Sequence, residues 1–141
     1  MPETIKKHSF IIALLLISFY LLFKGVNHHV MWDDEAHVGI FARTLLKTGT
    51  LSAWDGRNLS TFRNGLLLDD SLQTKLPPLE YWITAASFRL LGFSTFSARF
   101  PFVVFGFLSL VLLWFLLHRI APGEKLFIRY TMILTAFSYS F

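Results

Sequence analysis

Long apolar blocks separated by polar segments constrain this chain more than any other feature. The first block covers residues 10–23 (FIIALLLISFYLLF), a shorter one covers 79–92, and a third covers 100–117. A fourth apolar run begins near residue 126 and continues to the end of the chain. A bilayer core about 30 Å thick is crossed by about 20 mainly apolar residues in an α-helix. The blocks therefore predict an all-α fold of polytopic integral membrane helices.

The boundaries of the blocks predict the membrane organisation. We expect spans at about 9–25, 79–92 and 98–119, the start of a fourth at 126–141, and an outward-facing loop over 26–78. Because the chain stops inside the fourth apolar run, we expect a truncated protein, the single N-terminal part of a larger membrane domain.

The first block is predicted to be an uncleaved signal anchor. A cleaved signal peptide is the alternative, since the block is short, but the following KGVNHHV lacks the small residues that signal peptidase needs. Lys6 and Lys7 precede the block, and the positive-inside rule then places the N-terminus in the cytoplasm.

The topology after the loop has two alternatives. If every block crosses once, the basic residues after the third block fall outside, which the positive-inside rule disfavours. If the block at 79–92 is re-entrant, these residues fall inside. We expect the single crossing and keep the second arrangement open. The basic residues concerned are His118, Arg119, Lys125 and Arg129.

Composition narrows the function classes. Hydrophobic residues make up 54% of the 141 residues and charged residues only 16%, whereas soluble domains carry about 25% charged residues. The net charge of +4 comes from residues that flank apolar blocks, so we expect the lipid bilayer as a partner and no nucleic acid. The chain has no cysteine, which excludes disulfides and thiolate metal sites.

Three acidic residues, Asp33, Asp34 and Glu35, follow the first span. Asp33 is a favourable N-cap, and the other two suit the first turn of a helix predicted at about 34–47. Gly49 is expected to end that helix. We expect a short juxtamembrane amphipathic helix that lies on the membrane surface. Its predicted apolar face consists of Ala36, Ile40, Phe41, Leu45 and Leu46.

Capping alone explains such acids in many proteins, but Trp32 directly before them favours a site. Tryptophan is enriched at membrane interfaces, so Trp32 would hold the acids at headgroup depth. A carboxylate there would meet the head of a lipid-linked substrate.

A second element, KLPPL at 75–79, stands before the next apolar block. Pro77 and Pro78 favour an extended segment and then a helix start. A snorkelling lysine at a helix start is one interpretation. The other is that the prolines hold Lys75 at the interface as a point charge for a phosphate.

Other polar residues give weaker signals. His28, His29 and His37 match no strong metal motif, so we expect no metal and no cofactor, with a divalent metal as a minor alternative. The triplet from Asn58 to Ser60 is a formal glycosylation sequon. We expect Arg57 and Arg63 to be solvated loop charges and Arg89 and Arg99 to anchor helix ends.

The ordered motifs resemble the dolichyl-phosphate-mannose:protein mannosyltransferase family, in the bacterial branch that includes the lipid A aminoarabinose transferases. These are multi-span glycosyltransferases of the C superfamily. One departure is Leu76, which separates Lys75 from the prolines, and another is a longer stretch between the first two motifs. In chain order the motifs are Asp34-Glu35-Ala36, KLPPL at 75–79, Tyr81-Trp82, Gly92-Phe93-Ser94 and Ala98-Arg99-Phe100-Pro101.

The resemblance implies transfer of a sugar from a dolichyl- or undecaprenyl-phosphate donor to a lipid, protein or glycan acceptor at the outer membrane face. It implies Asp34 as the general base, Glu35 as a supporting residue and Lys75 as a ligand of the donor phosphate. It also implies a multi-pass protein of the bacterial inner or plasma membrane.

Two other function classes stay open, a non-catalytic membrane scaffold and a transporter fragment. Few ionisable residues lie in the middle of the predicted spans, which does not favour transport.

Overall fold

The computed structural model describes residues 3–27, 30–60 and 65–138. These residues form five α-helices and no β-strand, which confirms the all-helical fold class. The helices are α1 (Glu3–Lys24), α2 (Asp33–Thr48), α3 (Leu79–Leu91), α4 (Thr95–Ile120) and α5 (Lys125–Ser138).

The chain divides into two compact units. The first consists of Met1–Val26 and Phe102–Phe141, and the second is Asn27–Pro101.

In the first unit, α1 runs antiparallel to the part of α4 that lies in this unit. Phe19 of α1 meets Phe107 edge to face, with ring centroids 5.6 Å apart, while Ile11 lines one groove together with Trp114. The numbering thus rises along one helix as it falls along the other. Apolar side chains of α1, α4 and α5 form the core of the unit: Ile11, Leu14, Leu110, Leu117, Ile128, Met132 and Ala136.

Among the described residues, α4 is the one helix that is long and apolar enough to cross a membrane. Its 26 residues measure about 39 Å at about 1.5 Å per residue. The apolar part of α1, Ser9–Lys24, is shorter, and the 13 residues of α3 measure about 20 Å. Spans at 9–25 and 79–92 stay predictions.

In the second unit, α2 packs on α3 through small side chains. Ala42, Ala85 and Ala98 are buried together with Phe88. The small side chains of this cluster come from α2, α3 and the start of α4. A second buried cluster joins Phe41 of α2 to Ala53 of the loop and Tyr81 of α3.

The loop after α2 is organised by turns and by isolated bridges. Three antiparallel bridges pair Ser52 with Gln73, Trp54 with Leu59, and Leu68 with Thr74, outside any strand. Two aspartates accept backbone N–H groups: the half-buried Asp55 accepts from Arg57 and Asn58, and the exposed Asp69 accepts from Ser71 and Gln73. The described parts of the loop, residues 49–60 and 65–74, therefore have a defined backbone path.

The bounds of α2 agree with the predicted helix, and two of its predicted details need correction. Gly49 ends it in the left-handed conformation, with φ 78°. The N-cap, however, is Trp32 and not Asp33, which is the first helical residue. The Glu35 side chain accepts the Trp32 backbone N–H at 3.2 Å and so fixes the N-cap residue from within the first turn.

The residues of the predicted apolar face of α2 have different environments. Phe41 is buried, whereas Ile40 is 41% exposed and Leu46 is 36% exposed, so contact of these two side chains with the membrane surface stays a prediction. His37, which we placed largely outside the apolar face, is buried. The reason is that α3 covers the side of α2 that carries His37, Phe41 and Thr44, since Tyr81 offers a hydroxyl to the histidine.

Candidate functional site

The second unit contains the predicted site residues Asp34, Glu35 and Lys75. The two acids lie in the first turn of α2. Lys75 lies on the segment that leads from the loop into α3. The three residues therefore belong to one compact part of the chain.

Glu35 is held by an arginine from α4. Arg99 donates from Nε to both carboxylate oxygens, at 3.1 Å and 3.2 Å, and from a terminal nitrogen to Oε2 at 2.6 Å. The same terminal nitrogen also lies 3.4 Å from the carbonyl oxygen of Val30. Hydrogen bonds from Arg99, followed by the Trp32 N–H, lower the pKa of Glu35 despite the opposing effect of burial. Glu35 is thus an ionised, fixed carboxylate.

Asp34 differs from its neighbour because its side chain is exposed. Within the described part of the chain, no hydrogen bond or ion pair engages its carboxylate. Its charge acts on His37, one turn further along α2. Two adjacent acids therefore have different environments, one fixed by Arg99 and the other accessible to a reactant.

His37 and Tyr81 form a buried polar contact between α2 and α3. His37 Nε2 lies 3.1 Å from the Tyr81 hydroxyl, which in turn lies 3.4 Å from Thr74 Oγ1. His37 is 6% exposed and Tyr81 fully buried. Burial lowers the pKa of His37, and the nearby charges of Glu80 and Asp34 oppose this shift.

The same contact positions the KLPPL element. Thr74 directly precedes Lys75, and Leu76 packs against the cluster of Phe41 and Tyr81. The Lys75 backbone N–H donates to the Leu67 carbonyl at 2.9 Å, while its side chain remains exposed. The Lys75 side chain is therefore exposed to a ligand, while contacts of Thr74 and Leu76 hold the segment on either side of it.

The charge of Lys75 acts on Asp69. Hydrogen bonds from the Gln73 N–H and from Ser71 do most to lower the pKa of Asp69, and the lysine adds a smaller effect. Asp69 is thus an ionised neighbour of Lys75 in the loop.

The motif at 92–94 shapes the connection between α3 and α4. Gly92 has φ 80° and its N–H donates to the Phe88 carbonyl, which ends α3. Ser94 Oγ accepts the Ser97 N–H at 3.0 Å and so caps the start of α4. Ser87 of α3 donates to the Ser97 carbonyl at 2.6 Å. This turn joins α3 to the helix that carries Arg99.

Sequence reasoning missed two of these residues. We expected Arg99 to anchor a helix end, and its pairing with Glu35 joins residues 64 positions apart. We expected His37 to be a polar residue near the membrane, with metal binding as a minor alternative, and it contacts Tyr81. The only sequence signal for Arg99 was its place in the segment Ala98-Arg99-Phe100-Pro101, which resembles the A-R-x-P motif of the family.

The described residues contain no group of three His, Cys, Asp or Glu side chains that could hold a metal ion. His28, His29 and Arg63 lie outside the described residues.

Comparison with known proteins gives one match. Residues 75–141, nearly half of the chain, match the family model of dolichyl-phosphate-mannose-protein mannosyltransferases. The matched part includes Lys75, Tyr81, Ser94 and Arg99, and Asp34 and Glu35 precede it. No curated protein and no solved structure matches the chain.

Proposed function

We propose that this chain is a glycosyltransferase that uses a polyprenyl-phosphate-linked sugar as its donor. Its similarity to the dolichyl-phosphate-mannose-protein mannosyltransferase family over residues 75–141 supports this function. The acceptor is a hydroxyl group of a lipid, protein or glycan at the outer membrane face. Asp34 is the general base, Glu35 positions it, and Lys75 binds the donor phosphate.

The pairing of Glu35 with Arg99 carries the proposal. Because the guanidinium holds one carboxylate in a fork and the Trp32 N–H binds the same group, the first turn of α2 has a defined orientation. Asp34, next in that turn, is exposed. A general base must reach the proton that it removes, and of these two acids Glu35 is bound by Arg99 whereas Asp34 is exposed.

The contacts of Tyr81 support a shared site for Asp34 and Lys75. Tyr81 touches His37, which lies one turn beyond Asp34, and Thr74, which directly precedes Lys75. The acidic turn and the lysine are thus each within a few residues of one buried hydroxyl group. This arrangement suits a donor whose phosphate and reacting carbon are close together.

The proposed reaction is a substitution at the anomeric carbon. The acceptor oxygen attacks this carbon as its proton passes to the Asp34 carboxylate. The bond between the carbon and the phosphate oxygen breaks, and the electron pair leaves with the polyprenyl phosphate. Lys75 stabilises the negative charge that grows on that phosphate.

The donor chemistry suits a protein with a membrane helix. A polyprenyl-phosphate sugar keeps its reactive carbon at the membrane surface and requires no nucleotide-binding domain. α4 is a candidate membrane helix. We place the protein in the bacterial inner or plasma membrane as a multi-pass protein with a cytoplasmic N-terminus.

Asp34→Asn in the full-length protein tests the proposal. The amide keeps the shape of the side chain but cannot accept the proton, and loss of a general base costs about 10²–10⁴-fold in rate. We expect normal membrane insertion, unchanged donor affinity and turnover reduced by that factor. The assay follows transfer from labelled polyprenyl-phosphate sugars by purified protein.

Asp33→Asn is the matched control, since Asp33 is an equally exposed neighbour in the same turn, and it should keep wild-type turnover. Lys75→Ala should raise the donor KM and lower kcat, because Lys75 both binds the donor phosphate and stabilises the charge that grows on it. Near-normal turnover of Asp34→Asn would refute its role as the base. Absence of any transfer by the wild-type protein would favour a non-catalytic scaffold.

A further inference from the structure

The first unit contains a groove that the proposed reaction does not use. It encloses about 270 Å³ between α1, α4 and α5. Its walls include the apolar side chains of Phe10, Trp114 and Met132. The polar part of the lining is basic: His118 in the last turn of α4, Lys125 at the first position of α5, and Arg129 one turn later.

The basic side chains lie at one end of the groove and the apolar ones continue from there. His118 and Lys125 flank the turn between α4 and α5. Met132 lies almost two turns beyond Lys125 along α5. The groove therefore has a positively charged mouth and an apolar interior, the polarity of an anionic amphiphile.

The positive charge at the mouth is not neutralised within the described part of the first unit. No ion pair with an acid engages these three side chains there, and Glu124 is the only acid between residues 102 and 138. Arg129 lies over the Phe10 ring, 5.2 Å from its centroid, which orients the guanidinium at the wall. The N-terminus of α5 adds its positive partial charge at Lys125.

We infer that this groove binds an anionic phospholipid, with the phosphate among Lys125, Arg129 and His118 and part of one acyl chain along the apolar walls. Pockets that enclose a drug-sized ligand measure about 300–1,000 Å³. A volume of about 270 Å³ therefore fits a segment of an acyl chain whose remainder stays in the bilayer. A soluble phosphate would leave the apolar walls unused.

The location favours this ligand. Phe10 lies toward the N-terminal end of α1, which we predict to be cytoplasmic. Basic pockets between membrane helices on the cytoplasmic side bind anionic lipid head groups. The site is thus separate in the chain from Asp34 and Lys75, and its test does not depend on sugar transfer.

Quenching of Trp114 fluorescence by brominated lipids tests the inference. The other three tryptophans are exposed, Trp32 at 80%, Trp54 at 46% and Trp82 at 56%, so all three can be replaced by Phe. The protein is reconstituted in phosphatidylcholine with a small fraction of dibrominated phosphatidylglycerol or dibrominated phosphatidylcholine. We expect phosphatidylglycerol to quench Trp114 beyond its share of the bilayer.

Lys125→Ala should lower this preference about fivefold, as expected for one cation near an anionic membrane surface. Arg119→Ala is the matched control, because Arg119 is also an exposed cation at the end of α4 but does not line the groove. It should keep the wild-type preference.

Equal quenching by the two brominated lipids in the wild-type background would overturn the inference. Equal losses in Lys125→Ala and Arg119→Ala would overturn it as well, since they would indicate a diffuse surface charge. Loss of the preference on addition of soluble glycerol phosphate would identify a phosphate site without a lipid requirement, which also contradicts it.

Discussion

At the scale of single residues, the two adjacent acids of α2 have different environments. Glu35 and Asp34 are adjacent acids, and Arg99 contacts only the first of them. The exposed side-chain fraction is 17% for Arg99 and 42% for Glu35. The Arg99 guanidinium is thus largely shielded from water, whereas the Glu35 carboxylate is partly solvated. This solvation reduces the contribution of the ion pair to the free energy of unfolding.

Arg99→Lys should destabilise the second unit. Lysine keeps the charge but cannot bind both carboxylate oxygens in a fork. Hydrogen bonds to charged groups contribute about 1.5–3 kcal/mol, and partial solvation of Glu35 reduces the expected loss to about 1–2 kcal/mol. Hydrogen exchange of the α2 amides measures it, with the exposed Arg89→Lys as the control.

A double-mutant cycle with Glu35→Gln isolates the contribution of the pair. The effects of Arg99→Lys and Glu35→Gln should be strongly non-additive. Simple additivity would mean that the contact contributes no stability.

His37 should make the second unit sensitive to acid. Burial lowers its pKa in the folded chain, so the unfolded chain, with a pKa near 6.5, binds more protons. Stability is therefore fully present above about pH 6.5 and is lost as the pH falls toward the folded pKa. Glu80 and Asp34, which face His37, limit the shift.

Hydrogen exchange of α2 at about pH 7.5 and about pH 5.5 measures this effect, on either side of the ordinary histidine pKa. The decrease in protection should be smaller in His37→Gln, which cannot be protonated. His118→Gln, an exposed histidine of the first unit, should behave as the wild type does. Equal decreases in His37→Gln and wild type would contradict the assignment.

At the scale of elements, the contact between α2 and α3 depends on small side chains. Ala42 is fully buried beside Ala85 and Ala98. Ala42→Leu adds three carbon atoms where the helices pack closely, and overpacking of this kind costs about 1–3 kcal/mol. We expect faster hydrogen exchange in both α2 and α3.

Ile40→Leu serves as the control, because Ile40 is 41% exposed on the same helix and the change adds no atoms. Wild-type protection in Ala42→Leu would show that α2 and α3 can separate without loss of stability.

At the scale of the whole molecule, antiparallel packing of α1 and α4 bears on the membrane topology. Phe10 of α1 and His118 of α4 lie at one end of this helix pair. Val26 and Phe102 lie at the other end of the first unit. If both helices cross the membrane, Val26 and Phe102 are therefore on the same face. The chain between them would then begin and end on one face, which favours the re-entrant alternative for 79–92. The later basic residues would share the face of the N-terminus, as the positive-inside rule prefers.

Labelling of single cysteines in sealed vesicles tests this topology, and the chain has no cysteine that would interfere. We expect an impermeant maleimide to reach Asn27→Cys and Phe93→Cys from the outer face, and Glu124→Cys only from the cytoplasmic face. A single crossing by α3 predicts the reverse for Phe93→Cys and Glu124→Cys, while Asn27→Cys serves as the common reference.

Local chemistry determined the helices of this protein. Apolar blocks at 10–23 and 100–117 fall within α1 and α4, because any long apolar segment must satisfy its backbone hydrogen bonds internally in a membrane. Gly49 ends α2 at φ 78°, a conformation that glycine adopts more readily than residues with a Cβ atom. Such signals act within a few residues and are therefore legible in the sequence.

Only the tertiary structure decided which side chains meet. The periodicity of α2 could not show that α3 covers the side with His37, because Tyr81 follows it by 44 residues. It could not show that Arg99, 64 residues from Glu35, fixes one acid and leaves its neighbour exposed. Contacts of this range depend on how the helices pack, and the free energy of that packing is shared among residues that no local pattern connects.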